Sequence, residues 1–137
     1  EIQAARHNAR IYGVADRIEF VIGDCLQLLK SIQADVVFLS PPWGGPEYLD
    51  FAAAYDIRTM LSVGGKDGEE IFRLARQHTR SVAYFLPRTL KPEQLGALAD
   101  GNISEVCEIE GHYLNNKLKT KIAYYGDIAG KTEPKLA

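Results

Sequence analysis

The strongest constraint on this chain lies at residues 38–46, Phe-Leu-Ser-Pro-Pro-Trp-Gly-Gly-Pro, where an apolar run meets consecutive prolines. Asp35-Val36-Val37-Phe38-Leu39 is short, β-branched and aromatic, as expected of a strand buried on both faces of a parallel sheet. Pro41 and Pro42 fix φ and remove two N–H donors, so neither helix nor ladder continues and neighbouring carbonyls are left free to accept. Ligands of open α/β sheets bind outside the carboxyl ends of the strands. The sequence therefore predicts a rigid, acceptor-rich loop with an exposed indole, Trp43, where an active-site loop would lie. The blander alternative is a stiff Pro/Gly turn whose indole fills a gap in the core.

Strand and helix patterns alternate along the chain, which predicts an α/β domain finishing in an antiparallel hairpin. Ile2, Ala5, Ala9 and Tyr12 fall at helical spacing ahead of Gly13. With no cap residue or loop before Glu1, the chain is expected to open in mid-element, as a piece of something longer. Arg17–Ile22 reads as a strand and Asp24–Ser31 as a helix with Asp24 at its N-cap. Asp56–Ser62 reads as a short turn or helix and Gly64–Gly68 as a flexible connection. Glu69–His78 should be a helix with Ile71, Phe72, Ala75 and His78 inward, and Ser81–Leu86 another buried strand. Pro92–Leu98 follows as a helix with proline in its first turn. Ile103–Tyr113 and Lys119–Tyr125 alternate well enough for two antiparallel strands joined around Leu114-Asn115-Asn116-Lys117. Residues 1–128 are expected to be one portion of a single domain and 129–137 a disordered tail.

With 137 residues, 46% of them hydrophobic, the chain holds one core and is too short for two. A net charge of −2 argues against a general nucleic-acid coat and leaves room for a small local basic site. Cys25 and Cys107 lie far apart and match no metal spacing, so they read as two reduced, buried thiols and no metal is expected. No apolar run approaches the roughly 18 residues of a membrane span, and the chain does not start like a signal peptide, so no membrane partner is expected.

A Ser-Pro-Pro-aromatic loop suits transfer of a group to a planar exocyclic NH₂, whose lone pair is delocalised into its ring. The remedy is positional: Ser40 and the Pro41 carbonyl accept the two N–H bonds and aim the nitrogen, while Trp43 stacks on the base. Serine is no useful base, so such a site relies on orientation and on a substrate already made reactive. Tryptophan is also the best aromatic partner for a cation, by about 0.5 to 2 kcal/mol. A positively charged purine such as 7-methylguanine would exploit that, and its acidified N1 would return electron density to the 2-amino group.

Beyond the loop, the chain carries Ala5-Arg6-His7-Asn8-Ala9, Tyr12-Gly13, Ile18-Glu19-Phe20 and Gly23-Asp24. It continues with Ala34 to Pro46, Asp56-Ile57-Arg58-Thr59-Met60, Glu70-Ile71-Phe72-Arg73-Leu74, Tyr84 to Arg88 and Leu114 to Lys119. On these segments, from Ala5 to Ile128, it resembles the trimethylguanosine synthase family. These are class I methyltransferases that convert a 7-methylguanosine RNA cap to the 2,2,7-trimethyl form with S-adenosyl-L-methionine. A Pro-Pro-aromatic motif is shared by many amino-methyltransferases, whereas Ser-Pro-Pro-Trp-Gly-Gly-Pro followed by Asp-Ile-Arg and Leu-Asn-Asn-Lys-Leu-Lys is far more specific.

The resemblance implies a Rossmann-like fold with strand order 3-2-1-4-5-7-6. It makes Ser40, Pro41, Pro42 and Trp43 the catalytic and cap-stacking motif. It puts Asp24 and Cys25, with Ser40, beside the cofactor, although Asp24 would equally cap its helix. Trp43, Tyr48, Arg88, Asn116 and Lys119 become the substrate-binding set, with Tyr48, Arg88 and Lys119 holding the cap phosphates. Asn115 and Asn116 also read simply as turn formers. Arg58 is expected to brace its own loop, and the three histidines to have no carboxylate or cysteine partner at catalytic or metal spacing. Implied partners are 7-methylguanosine-capped small nuclear and nucleolar RNAs and small ribonucleoprotein core proteins. The implied place is the nucleus and nucleolus, with some protein in the cytoplasm. One departure stands out: the family's Gly-rich cofactor loop and first two strands have no counterpart here, so the fold is expected to be truncated before strands 1 and 2. The isolated 137 residues are accordingly expected to be unstable or rearranged and not to bind the cofactor. Competing readings are an amino-methyltransferase for adenine, unmethylated guanine or glutamine, and a catalytically silent cap-binding module.

Overall fold

The computed structural model describes residues 1–44, 54–99 and 105–130. In chain order its elements are α1 (Ile2–Ile11), α2 (Cys25–Leu28), β1 (Val36–Leu39), β2 (Ser62–Val63), β3 (Lys66–Asp67), α3 (Gly68–Arg76), β4 (Ser81–Pro87), α4 (Pro92–Gly96), β5 (Glu108–Leu114) and β6 (Lys117–Tyr125). Short 3-10 turns stand at Ala15–Arg17 and Gly126–Ile128.

The main sheet runs β1-β4-β6-β5. β1 is parallel to β4, with Val36 opposite Ser81 and Leu39 opposite Tyr84. β6 is antiparallel to both β4 and β5. This is the 4-5-7-6 half of the expected order, so the fold is mixed α/β of the Rossmann-like methyltransferase type. Because β1, β4 and β5 all point the same way, their carboxyl ends share one end of the sheet.

The core lies on one face. Val37 and Leu39 of β1, Val82, Tyr84 and Leu86 of β4, and Ala123 and Tyr125 of β6 pack against Ile71, Phe72 and Ala75 of α3 and Leu90, Leu95 and Leu98 around α4. Phe72 sits 4.6 Å from the Tyr125 ring and stacks on Tyr84 at 6.1 Å. Of the three buried phenols, Tyr55 has no hydroxyl partner among the described residues, whereas Tyr84 donates to the Gly68 carbonyl at 3.0 Å and Tyr125 to the Leu95 carbonyl at 2.9 Å. Burial raises the pKa of Tyr84 and Tyr125. α3 starts sharply because Asp67 and Glu70 form a reciprocal capping box, and its Glu69 and Glu70 face the positive end of the helix dipole. After β6 the chain turns at Gly126, φ +70°, where a Cβ would fall 2.1 Å from the Arg80 carbonyl oxygen, so glycine alone fits there.

Several expected boundaries move. Residues 18–22 join no ladder among the described residues, and the predicted strand at Arg17–Ile22 is replaced by the 3-10 turn and this unpaired run. The expected order puts two strands between this segment and β1, and neither is among the described residues, so its backbone has no described neighbour to pair with. The helix predicted over Asp24–Ser31 is helical only over Cys25–Leu28 and continues as a turn. Gly64–Gly68 is not a flexible connection: Gly64 and Gly65, both at positive φ, close the tight β2–β3 hairpin and α3 starts at Gly68. The α3 pattern runs only to Arg76, and His78 lies past its end, half-buried. β5 starts at Glu108, and α4 ends at Gly96. The expected tail beyond Gly130 lies outside the described residues.

Candidate functional site

Ser40 follows the last residue of β1 and is exposed, Pro41 is half-buried, and Pro42 is exposed. Parallel pairing with β4 holds this loop at the carboxyl end of the sheet, as the proline argument requires. The Trp43 ring leans on Phe85 of β4, centroids 5.9 Å apart and planes tilted by 52°. Phe85 in turn meets Phe38 at 6.4 Å. Phe38 and Phe85 project from the sheet face opposite the core, so an aromatic ladder braces the indole from behind. Trp43 also packs in part against the hydrophobic cluster while staying half exposed, combining both expected roles. Gly44, at φ +102°, turns the chain away in a conformation that a side chain would strain.

Beside this loop lies a cavity of about 420 Å³, walled by Cys25, Leu26 and Leu29 around α2 and by Val37, Leu39 and Ser40–Pro42. Its lining is chiefly apolar. That is the size and character of a small-molecule site. Asp24 is exposed and caps α2, its Oδ1 accepting from the Leu26 N–H at 2.8 Å. The two thiols are free, but the expectation that both are buried fails: Cys25 opens α2 at the surface and is exposed, and Cys107 is half-buried, its pKa raised by desolvation.

Arg88 follows β4 directly and is half-buried, its guanidinium donating to the Leu118 carbonyl at 3.3 Å. Asn115 and Asn116, at φ 51° and 59°, form the two-residue turn between β5 and β6. A register shift follows: Thr120 faces His112 and Leu118 faces Tyr113, which leaves Lys119 as the extra residue of a β-bulge, exposed. The topology therefore brings Ser40–Trp43, Arg88, Asn116 and Lys119 to one end of the sheet. Asp24 and Cys25 lie across the cavity at α2. Tyr48 lies outside the described residues.

Arg58 braces its own loop as expected, through its N–H to Asp56 and its guanidinium to Glu69. One expectation fails: His112 does have a carboxylate neighbour, its Nε2 lying 3.6 Å from Glu110 Oε2, because residues two apart on a strand share a face. Both side chains are about half exposed, so the pair is a surface contact. Sequence reasoning missed Phe85 as the support of Trp43 and missed the bulge at Lys119. Alternation along β4 could have flagged Phe85, whereas nothing in the local composition announces the bulge.

A mixed α/β sheet with a Ser-Pro-Pro-Trp loop at the carboxyl end of a parallel strand, beside a largely apolar cavity, matches the class of methyltransferases that orient an amino group. Comparison narrows the class: the sequence model of the family described as RNA cap guanine-N2 methyltransferase matches residues 1–128, and the chain belongs to that family. Trimethylguanosine synthase of Schizosaccharomyces pombe is 34% identical over 140 residues, covering 96% of this chain and 56% of that protein. Trimethylguanosine synthase of Saccharomyces cerevisiae is 37% identical over 140 residues, covering 97% of this chain and 44% of that protein. The chain thus spans about half the length of the curated relatives it matches.

Proposed function

We propose that the protein carrying this chain transfers methyl groups from S-adenosyl-L-methionine to the exocyclic N2 of 7-methylguanosine caps on small nuclear and nucleolar RNAs, giving 2,2,7-trimethylguanosine. The observation that carries the proposal is the Ser40-Pro41-Pro42-Trp43 loop at the carboxyl end of β1, with its indole braced on Phe85. Family membership and the likeness to the two trimethylguanosine synthases support it. The nucleus as the site of action, and small ribonucleoprotein core proteins as companions, belong to the same proposal.

The cofactor fits the residues present. The cavity walled by Cys25, Leu26 and Ser40–Pro42 has the volume and apolar lining to take part of a nucleoside, and Asp24 stands at its α2 side. S-adenosyl-L-methionine supplies an electrophilic methyl group when bound. The chain's own residues do the rest by position. Ser40 Oγ and the Pro41 carbonyl accept the two amino N–H bonds and aim the nitrogen lone pair, and Trp43 covers the cationic base. None of the four loop side chains is a base near neutral pH, so the loop orients and the substrate provides its own activation by ionising at N1. Arg88 and Lys119, at the same end, meet the cap phosphates together with Tyr48.

The test is methyl transfer by the full-length protein to 7-methylguanosine triphosphate and to GTP, with labelled cofactor. Transfer to the first alone supports N2 cap chemistry on a cationic base. Transfer to both overturns the requirement for that base and favours a broader amino-methyltransferase, and transfer to neither overturns the proposal in favour of a silent cap-binding module. Trp43→Ala should abolish cap binding with cofactor binding intact, read by titration calorimetry with each ligand; unchanged cap affinity would remove the stacking argument.

A further inference from the structure

We infer that the tip of the β5–β6 hairpin is a binding surface for the first nucleotides of single-stranded RNA beyond the cap. The inference rests on the cap reading above and extends that site along the substrate. From Gly111 to Tyr125 the chain carries Lys117, Lys119 and Lys121 and no acid, within a protein of net charge −2. The last β4–β6 pair is Pro87 with Thr120, while the hairpin continues through Tyr113–Leu118 and Leu114–Lys117. The tip therefore overhangs the carboxyl end of the sheet, on the side where the Ser40–Trp43 loop and Arg88 lie, and Arg88 already touches it through the Leu118 carbonyl.

At this tip Tyr113 is 68% exposed and Leu114 61%. The Tyr113 ring has a seat: a Cβ at Gly111 would meet Tyr113 Cε2 at 3.1 Å and Leu118 Cδ1 at 3.0 Å, so the missing side chain lets the ring lean on the strand beside Leu118. A seated aromatic ring flanked by exposed lysines is the pairing that binds single strands without reading sequence, since every base has a stacking face and every nucleotide a phosphate. An RNA chain leaving cap phosphates held near Arg88 and Lys119 reaches Tyr113 and Lys117 next. Charge favours this occupant over an acid-poor protein surface.

The experiment compares the affinity of the full-length protein for 7-methylguanosine triphosphate and for a short single-stranded oligoribonucleotide bearing the same cap, at fixed salt. The oligonucleotide should bind more tightly, and Tyr113→Ala should weaken it roughly tenfold while leaving the nucleotide unchanged. Tyr113→Phe should keep the advantage. Lys117→Gln should lower the salt dependence of oligonucleotide binding by about one phosphate contact. Equal affinity of the wild type for both ligands, or an unaltered advantage in Tyr113→Ala, would overturn the inference. So would an equal loss for both ligands, which would put Tyr113 in the cap site itself, or an unchanged RNA affinity accompanied by loss of self-association in sedimentation. If the wild type bound neither ligand, the cap reading would fall, and this inference with it.

Discussion

Around β4 the largest side chains vanish from solvent: Phe72, Tyr84, Leu86, Leu90, Leu95 and Tyr125 are each at most 1% exposed. In contrast, Ile11, Tyr12, Ile22 and Phe38 are 69%, 80%, 77% and 58% exposed. Both regions carry the apolar patterning of buried elements. The first has α3 and α4 laid over its sheet face and hydrogen-bond partners for Tyr84 and Tyr125, whereas the second has no described element over it. Hydrophobic pattern alone does not make a core; a second layer does.

The largest expected effect breaks the comparison at its strong side. Phe72→Ala removes a ring that touches both Tyr84 and Tyr125, and should cost about 3–5 kcal/mol in urea unfolding of the protein. In the full-length protein, Ile22→Ser should cost more than about 1.5 kcal/mol if the rest of the molecule buries that side chain. A cost within about 0.5 kcal/mol would mean that the side chain stays in solvent.

Next in size is an ionic tie within the sealed half. Arg76 makes a two-pronged pair with Glu105, 2.7 Å and 2.9 Å, with the two side chains only 10% and 5% exposed. The same guanidinium donates to the Arg80 carbonyl and lies over the Phe72 ring at 5.8 Å. Arg76→Ala would leave Glu105 buried without its charge partner and should cost about 3 kcal/mol by chemical denaturation, whereas Arg76→Met with Glu105→Leu should recover most of that. A single-variant cost below about 1 kcal/mol would show that water reaches the pair and that this half is less sealed than its exposures indicate.

The same contrast explains what could be read before any coordinates. β1, β4, α3 and the Asn115-Asn116 hairpin follow from local chemistry: β-branched runs, a capping box and two residues suited to positive φ all act within a few positions. The Ser40–Trp43 loop was legible for the same reason, since proline acts on its own backbone. Residues 17–22 have the composition of a strand, but a strand needs a neighbour, and pairing is not encoded in the segment itself. The Gly64-Gly65 pair was read for its freedom when its positive φ angles instead make a tight turn. Phe85 behind Trp43 depends on the registry of β1 with β4, strands far apart in the chain, and Lys119 on a register shift within the β5–β6 hairpin, neither of which composition carries.

The smallest effect concerns the surface of α3, between the sealed core and solvent. Glu69 sits among Arg73, at 2.8 Å, and Arg58, and these hydrogen bonds hold its carboxyl below the usual glutamate range, the Arg73 bond foremost. The folded protein therefore binds this proton less readily than the unfolded chain. Stability from the cluster is present above the ordinary glutamate pKa and is lost as pH falls through the depressed folded value. Both arginines are more than half exposed, 62% and 57%, so solvent and salt screen the pairs and the contribution stays below about 1 kcal/mol. Glu69→Gln should accordingly lower stability slightly at pH 7, less so in 1 M salt, where the screening length is only about 3 Å. The variant and the wild type should converge in acid, once Glu69 is protonated in both states. A deficit that persisted undiminished in acid would mean that Glu69 acts through packing on Arg58 and its loop, and would move this corner of α3 to the sealed side of the comparison.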